Sequence, residues 1–339
     1  MNILYVGSLD ILSNSYRRFQ TLQFLGNSVA GVNIDQYVNV RYLTRLHFHF
    51  NIGPGIVSLN KKVVEAVKNQ SPDLLYVDNK SYLRIPTLKL VRSLCPKMKV
   101  INVITDDPIT HKHSWGITLK TLSYYDVIFV QRTVNLAELS KLGAKRVELC
   151  LRSFDPRFHQ KLNLTEGEKN KFHNPIAFIG NYEKEREECI AFLIENNVPV
   201  RVVGGGWEKG KNWRIIQKYY RGGPLFEYDY GRFINGMDIA LHFLRHENRD
   251  EQDSRTFEIP ACGAFMLAEA STVHRTLFRE NEEAVFFSTK EELLEKVQYY
   301  MLNHEERRII AERGHQRCLN SGYDHATRMQ YVLSTTFDI

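Results

Sequence analysis

Residues 254–269 read Ser-Arg-Thr-Phe-Glu-Ile-Pro-Ala-Cys-Gly-Ala-Phe-Met-Leu-Ala-Glu and lie between a highly polar run and a second group of charges. This order predicts a loop, a short helix, a turn and a buried strand. Ser254 or Thr256 is suited to cap the helix, and Pro260 is tolerated only if the helix begins just before it. Gly263 then supplies a left-handed stop before the strand.

Two side chains of this helix are suited to bind a ligand. Glu258 is expected near the helix N-terminus, where the dipole favours an ionised carboxylate, and such a group can accept from both hydroxyls of a ribose. Arg255 suits a phosphate or a carboxylate. The alternative is that Glu258 only caps its own helix and that Arg255 is a solvated loop charge.

The composition indicates a protein of two packed domains that folds without disulfides. The chain has 339 residues, 43% of them hydrophobic, a net charge of +6 without a basic run, and five widely spaced cysteines. This charge fits a nucleoside diphosphate and does not require nucleic acid. The cysteines favour a reducing, cytoplasmic setting. No apolar run of about 18 residues occurs, so no membrane span is expected.

The first half alternates strands and helices, as in a doubly wound α/β sheet. A strand over 2–6 ends at Gly7, and a helix over 13–25 follows. Gly7 therefore opens a loop at the carboxyl end of a strand, where such folds bind ligands. No G-x-G-x-x-G is present, so a nicotinamide dinucleotide is not supported. His47 and His49 are predicted on one face of a strand.

Two adjacent carboxylates, Asp106 and Asp107, directly follow a predicted strand over 100–104. That position favours catalysis, whereas Asp-Asp-Pro is equally good turn chemistry. A metal-binding DxD motif of the GT-A type is a weaker alternative, because here the acids are adjacent. His111 and His113 together with Asp107 give only a weak indication of a metal cluster.

The second half repeats the strand-to-glycine pattern after a polar linker over 153–173. A strand over 176–179 leads to Gly180, and a second leads to the glycines at 204–206. Glycine-rich turns at these positions suit a diphosphate but are also common as plain flexible turns. Asp250 lies eight residues before Glu258.

The motif Arg-x-Phe-Glu-Ile-Pro-Ala-Cys-Gly over 255–263 resembles the nucleotide-sugar motif of GT-B glycosyltransferases, and most closely that of the CgeB-like (spore maturation protein B) family. The run 178–181 followed by Arg186, the pair Gly204 and Trp207, and the segment 274–287 are also similar to that family. The spacing of Asp250 resembles the E-x7-E motif of retaining GT-B enzymes, with Asp for the first Glu and with Asp253 as its alternative.

The resemblance implies an α/β, GT-B fold, in which two Rossmann-like domains face each other across a cleft and a C-terminal helix crosses back to the first. The implied domains are 1–157 on the acceptor side, 158–322 for the donor, and 323–339 returning. The implied donor-binding residues are Gly7, Gly180, Arg186, Gly204, Gly205, Trp207, His242, Ser254, Arg255, Phe257 and Glu258. The implied catalytic residues are Asp106, Asp107 and Asp250.

The function implied is metal-independent transfer of a sugar from a nucleoside diphosphate donor, expected to be a UDP-sugar, without a further cofactor. The acceptor is expected to be a glycan, a protein or a small molecule, with modified DNA less favoured, and a homodimer is compatible with the sequence. Two alternatives stay open: a nucleotide-sugar epimerase or hydrolase of the same fold, and a non-catalytic nucleotide-sugar-binding protein.

Overall fold

The computed structural model describes residues 1–38, 50, 52–110 and 112–339, and it consists of two compact α/β units. The first unit comprises Met1–Leu151, Glu247–Arg249 and His325–Ile339. The second comprises Arg152–His246 and Asp250–Asp324. The strand predicted around His47 and His49 lies outside the described residues, and so does His111.

The first unit contains a six-stranded parallel sheet with the order β2-β1-β3-β4-β5-β6. Its strands are β1 (Asn2–Gly7), β2 (Ser28–Asn33), β3 (Leu74–Asp78), β4 (Lys99–Ile104), β5 (Val127–Val130) and β6 (Val147–Leu149). Its helices are α1 (Asn14–Phe24), α2 (Asp35–Val38), α3 (Pro54–Gln70), α4 (Ile85–Leu94), α5 (Gly116–Lys120), α6 (Thr133–Lys141) and α15 (His325–Phe337), with short 3₁₀ turns at Lys112–Trp115 and Leu122–Tyr124.

Both faces of this sheet are covered, which explains why its inner strands β1, β3, β4 and β5 are largely apolar. Alternate residues of β1 point to opposite faces. Leu4 and Val6 belong to one core, while Ile3 and Tyr5 belong to the other. The second core also includes Met329 and its neighbours in α15, so the predicted return of the last helix to the first domain is confirmed.

The second unit contains a five-stranded parallel sheet with the order β11-β10-β9-β7-β8. Its strands are β7 (Asn174–Ile179), β8 (Arg201–Val203), β9 (Met237–His242), β10 (Met266–Glu269) and β11 (Val285–Phe287). Its helices are α7 (Glu166–Phe172), α8 (Lys184–Glu195), α9 (Trp213–Ile216), α10 (Glu227–Asn235), α11 (Arg255–Ala261), α12 (Thr272–Leu277), α13 (Lys290–Leu302) and α14 (His304–Asn320).

Parallel strands place all their carboxyl ends at one edge of each sheet, which is where α/β folds bind ligands. In the first unit this edge carries Gly7 at the end of β1 and Asp106 after β4. In the second unit it carries Gly180 after β7 and Gly204 after β8. Among the described residues, no helix is long and apolar enough to cross a membrane.

Candidate functional site

The N-terminus of α11 is capped differently from the sequence-based prediction. Neither Ser254 nor Thr256 caps it with its hydroxyl. Instead Oδ1 of Asp253 accepts from the Arg255 N–H at 2.8 Å, and Oγ1 of Thr256 accepts from the Asp253 N–H at 3.0 Å. A short acidic residue caps well because its oxygen reaches the unpaired amides of the first turn. The predicted stop is confirmed, since Gly263 has a φ of +73°.

Pro260 lies inside α11, although the sequence favoured a position next to the helix start. The helix covers only Arg255–Ala261, so the missing N–H of the proline falls in its last turn. The N–H of Cys262 still reaches the carbonyl of Glu258 at 3.1 Å. The loss is therefore confined to one hydrogen bond of a short helix.

The glycines at the carboxyl edge of the second sheet permit close packing. A Cβ on Gly204 would lie 1.9 Å from the carbonyl oxygen of Gly180, and a Cβ on Gly180 would lie 2.1 Å from Nη1 of Arg255. The buried indole of Trp207 donates to that same Gly180 carbonyl at 3.0 Å. Trp207 therefore holds the loop that carries Gly180, and its predicted role in donor binding stays a prediction.

The amides predicted to cradle a diphosphate are already engaged. The N–H groups of Gly180 and Gly204 donate to backbone carbonyls at 2.9 and 3.1 Å. The N–H of Gly205 donates to Oδ1 of Asn181 at 3.1 Å. The assignment of these three amides as free diphosphate donors is therefore corrected. A ligand could bind them only by displacing the Asn181 side chain at Gly205 and a backbone hydrogen bond at Gly180 and at Gly204.

Two arginines lie on the ring of Phe178. The guanidinium carbons of Arg186 and Arg255 are 5.6 and 5.4 Å from its centroid. Arg255 forms an ion pair with Asp253 and donates to the carbonyl of Ile179 at 2.9 Å. Two like charges are thus held together, and only one of them is paired with a carboxylate.

Arg186 is the cation that forms no ion pair among the described residues, although the charges of Asp253, Glu183 and Asp250 act on it. It is 4% exposed, and it donates to the carbonyls of Asn181 and Phe243 at 3.1 and 3.3 Å. Within the described residues no carboxylate forms an ion pair with it, and its Nε has no hydrogen-bond partner. Burial and the charge of Arg255 lower the pKa of Arg186 to about 10. A bound anion would offset both the cost of burying this charge and the repulsion from Arg255.

Glu258 is buried, with one hydrogen-bond donor in contact and a histidine nearby. The hydroxyl of Tyr230 donates to Oε2 at 2.6 Å, and Nε2 of His159 lies 3.7 Å from Oε1. Nδ1 of His159 accepts from the N–H of Asp155, so the proton of the neutral ring is on Nε2, facing the carboxylate. Burial and the charge of Glu258 raise the pKa of Tyr230 well above its usual value, which keeps the phenol a donor.

His242 belongs to a buried network rather than to an open surface. Its Nε2 lies 2.9 Å from Oδ1 of Asp253. Burial alone would raise the pKa of Asp253, but Arg255 and His242 outweigh it and hold that pKa well below its usual range. The ring centroid of His274 lies 5.2 Å from that of His242. His274 donates from Nδ1 to the carbonyl of Glu269 and accepts at Nε2 from Thr256. His242 contacts Asp253, which in turn pairs with Arg255, and the predicted role of His242 in donor binding stays a prediction.

The remaining candidates of the second unit have distinct positions. Phe257 is fully buried against the ring of Tyr323, 5.1 Å away, and is a core residue. Ser254 precedes α11 and accepts at its carbonyl from Glu258 N–H at 2.9 Å. Asp250 is half-buried, and its charge acts on Arg186, raising the pKa of that guanidinium against the stronger effects of burial and Arg255.

In the first unit, Gly7 and Asp107 are structural. A Cβ on Gly7 would lie 2.7 Å from Oγ of Ser15. Asp107 is 1% exposed, forms an ion pair with Arg249 and accepts from Nδ2 of Asn135 at 3.2 Å. Burial favours the neutral acid, but these partners lower the pKa of Asp107. The buried carboxylate anchors Arg249, so its predicted catalytic role is not supported by this position.

The side chain of Asp106 makes different contacts from that of Asp107. It is half-buried, and its Oδ2 accepts from Nδ2 of Asn79 at 2.9 Å. Of the two adjacent acids, it is the one that retains contact with solvent. The described residues contain no group of three or more His, Cys, Asp or Glu suited to a metal ion, and His111 of the weakly indicated cluster lies outside them.

Sequence reasoning missed the two side chains that contact Glu258. His159 lies in the stretch predicted as a linker, and Tyr230 lies in a helix, α10, that was not predicted. An aromatic residue at an unassigned position gives no signal of a carboxylate partner distant in sequence.

Residues 185–334 match the family model described as Glycosyl transferase-like. No curated protein matches the chain. Among solved structures, sucrose-phosphate synthase from Thermosynechococcus elongatus aligns over 100% of this chain and 99% of its own, with 10% identity and a TM-score of 0.69. HepE from Anabaena, solved in complex with UDP-glucose, aligns over 100% of both chains with 12% identity and a TM-score of 0.68.

A third structure, described as a putative UDP-N-acetylglucosamine 2-epimerase from Listeria monocytogenes, covers 98% of this chain and 95% of its own at 12% identity and a TM-score of 0.54. At these identities the likeness shows the fold, which is GT-B with two Rossmann-like parallel-sheet units. Residues 185–334, which are less than half of the chain, are thus similar to a glycosyl transferase-like family, and the structural neighbours show the GT-B fold. The narrower CgeB-like resemblance stays a prediction.

Proposed function

We propose that this protein is a glycosyltransferase that takes a sugar from a nucleoside diphosphate donor, with a UDP-sugar as the expected donor, and transfers it to an acceptor hydroxyl. The observation that carries the proposal is Arg186, a buried guanidinium beside a second guanidinium and without an ion-pair partner among the described residues. Such a cation is costly unless an anion binds to it. A diphosphate supplies that anion.

In this proposal Arg186 and Arg255 hold the diphosphate from the carboxyl edge of the second sheet. Arg255 is fixed by Asp253, so its position does not depend on the ligand. As the bond between sugar and diphosphate breaks, negative charge grows on the leaving phosphate. Two preorganised guanidiniums stabilise that charge without a metal ion.

Glu258 binds the ribose. Its carboxylate already accepts from Tyr230, so one oxygen is fixed while the other lies near His159. A ribose hydroxyl can donate to Oε1. Asp106 acts on the acceptor in the first unit, where the carboxylate, oriented by Asn79, accepts the proton of the attacking hydroxyl. Asp107, committed to Arg249, has no part in this step.

Calorimetry with UDP tests the donor site. Wild-type protein should bind UDP, and Arg186→Met should weaken the binding at least tenfold, since a charge-assisted contact is worth about 1.5–3 kcal/mol. Arg214→Gln, an exposed arginine of the same unit, is the matched control and should bind as wild type. Equal affinities in all three proteins would contradict the proposal.

A turnover assay separates the proposal from its two alternatives. The protein is incubated with a panel of nucleotide sugars, each with and without candidate acceptors. Release of nucleotide that depends on the acceptor supports a transferase. Conversion without an acceptor supports an epimerase or hydrolase, and binding without conversion supports a nucleotide-sugar-binding protein.

A further inference from the structure

Lys80 is a half-buried amine in the first unit that none of the roles above uses. It follows β3 at the carboxyl edge of the sheet, two residues after Asp78. Its Nζ lies 5.7 Å from the ring centroids of both Tyr82 and Trp115. Both rings are buried, at 7% and 5% exposed, so they form a fixed aromatic wall on which the ammonium rests.

The ammonium of Lys80 has no counterion of its own. Among the described residues, it forms no ion pair and no hydrogen bond. Burial lowers the pKa of Lys80 to about 8, and the negative charge of Asp106 only partly opposes this effect. The aromatic faces attract the cation, but they do not replace the hydrogen-bond acceptors of water.

Asp106 is held beside this amine by an unusual backbone. Asn79, next to Lys80, has a left-handed φ of 60°, and its Oδ1 accepts from the N–H groups of Thr105 and Asp106 at 3.2 and 3.3 Å. Its Nδ2 donates to Oδ2 of Asp106. One asparagine therefore fixes both the amine-bearing loop and the carboxylate.

We propose that Lys80 and Asp106 form a subsite for an anionic acceptor, in which Lys80 binds a carboxylate or phosphate group and Asp106 faces the neighbouring hydroxyl. The inference rests on the proposed function, because it assigns the acceptor of that same reaction. An anion satisfies the ammonium, while the aromatic wall packs against the less polar part of the acceptor. Among the described residues Lys80 forms no ion pair with Asp106, and Oδ2 of Asp106 accepts from Asn79, so the other oxygen of this carboxylate faces the hydroxyl in the proposal.

A local spectroscopic readout tests the subsite without knowledge of the whole acceptor. The lysines of the full-length protein are converted to ¹³C-dimethyl-lysines, which keep their charge, and the Lys80 signal is identified by its absence in Lys80→Arg. Inorganic phosphate and acetate are then titrated at constant ionic strength. The Lys80 signal should shift and saturate with at least one anion, and the anion that saturates first identifies the preferred group.

The exposed Lys120, in the same unit, is the reference, and its signal should shift only with the bulk effect of the salt. At about pH 6, where Lys80 stays protonated, Asp106→Asn should tighten anion binding, because it removes a repelling charge. A Lys80 signal that follows that of Lys120 with both anions would overturn the proposal. UDP is titrated by calorimetry on the same samples: saturation at Lys80 without UDP binding would contradict only the proposed function.

Discussion

The hydroxyl of Tyr230 donates a 2.6 Å hydrogen bond to Oε2 of Glu258, and this bond fixes the carboxylate of the short helix α11. The other oxygen, Oε1, has Nε2 of His159 3.7 Å away, which is too far for a direct hydrogen bond. The two oxygens therefore differ: one is satisfied by the protein, and the other is able to accept from a ligand hydroxyl.

Glu258→Gln tests whether the ligand hydroxyl is that of a ribose. The amide has one acceptor oxygen in place of two, so UDP should bind roughly tenfold more weakly or worse. Wild type should also prefer UDP to 2′-deoxy-UDP, and the variant should lose that preference. Calorimetry with UDP and with 2′-deoxy-UDP measures this preference. The exposed Glu208→Gln serves as control, and a preference that survives in Glu258→Gln would remove Glu258 from the ribose site.

The sequence predicted the parallel α/β units well because buried strands and amphipathic helices leave local patterns. The helix predicted over 13–25 is Asn14–Phe24, and the strand predicted over 100–104 is Lys99–Ile104. The strand predicted over 176–179 begins earlier, at Asn174. The helix at Glu166–Phe172 lay in the predicted linker, because a polar helix with a capping box looks like a loop in composition.

The site was less predictable than the fold. Glu258 and Arg186 could be named because motif residues stand at recognisable spacings. The different roles of Asp106 and Asp107 could not be predicted. They depend on Arg249, which is far away in sequence and forms its ion pair with Asp107. The glycine amides were predicted as ligand donors, but hydrogen bonds across the sheet edge engage them.

Arg186 should cost the protein stability, because its charge is buried beside Arg255 without a carboxylate partner in the described residues. Arg186→Met removes the buried charge, and this gain should outweigh the loss of the two hydrogen bonds to the carbonyls of Asn181 and Phe243. We expect the free energy of unfolding in urea to rise by about 1 kcal/mol. Arg255→Met, which breaks the pair with Asp253, should instead destabilise. A destabilised Arg186→Met would show that the guanidinium is a structural group.

His274 makes the stability of the second unit depend on pH. Burial and the neighbouring His242 lower the pKa of His274 from 6.5 to about 3. Between these values the unfolded chain binds a proton that the folded chain does not, so stability is lost as pH falls below about 6.5. The slope from this one group approaches about 1.4 kcal/mol per pH unit.

Urea unfolding between pH 7.5 and pH 5 measures that slope. His274→Gln should be less stable at pH 7.5, because it loses the ring that bridges Thr256 and Glu269, but its stability should depend less on pH. The exposed His304→Gln is the matched control and should retain the wild-type slope. Equal slopes in His274→Gln and wild type would show that the ring is protonated in the folded protein.

Asp106 and Asp107 are adjacent, but substitution of Asp107 is expected to lower stability and substitution of Asp106 is expected to lower turnover. Asp107→Asn should lower the free energy of unfolding by about 1–3 kcal/mol, because the buried Asp107 carboxylate accepts from Arg249 and Asn135. The pKa of Asp107 is lowered in the fold, so its contribution is present above the unfolded pKa, about 3.8, and is lost as pH falls through the folded pKa. Asp107→Asn should therefore be less sensitive than wild type to acid below about pH 4.

Asp106→Asn should unfold at nearly the wild-type urea concentration, since the side chain is half-buried and its contact with Asn79 survives as an amide pair. Its turnover should fall about 100-fold or more, the usual contribution of a general base, while UDP affinity stays unchanged. Initial rates with a working donor and acceptor, beside a urea curve for each variant, separate the two acids. Wild-type turnover in Asp106→Asn would remove this residue from the chemical step.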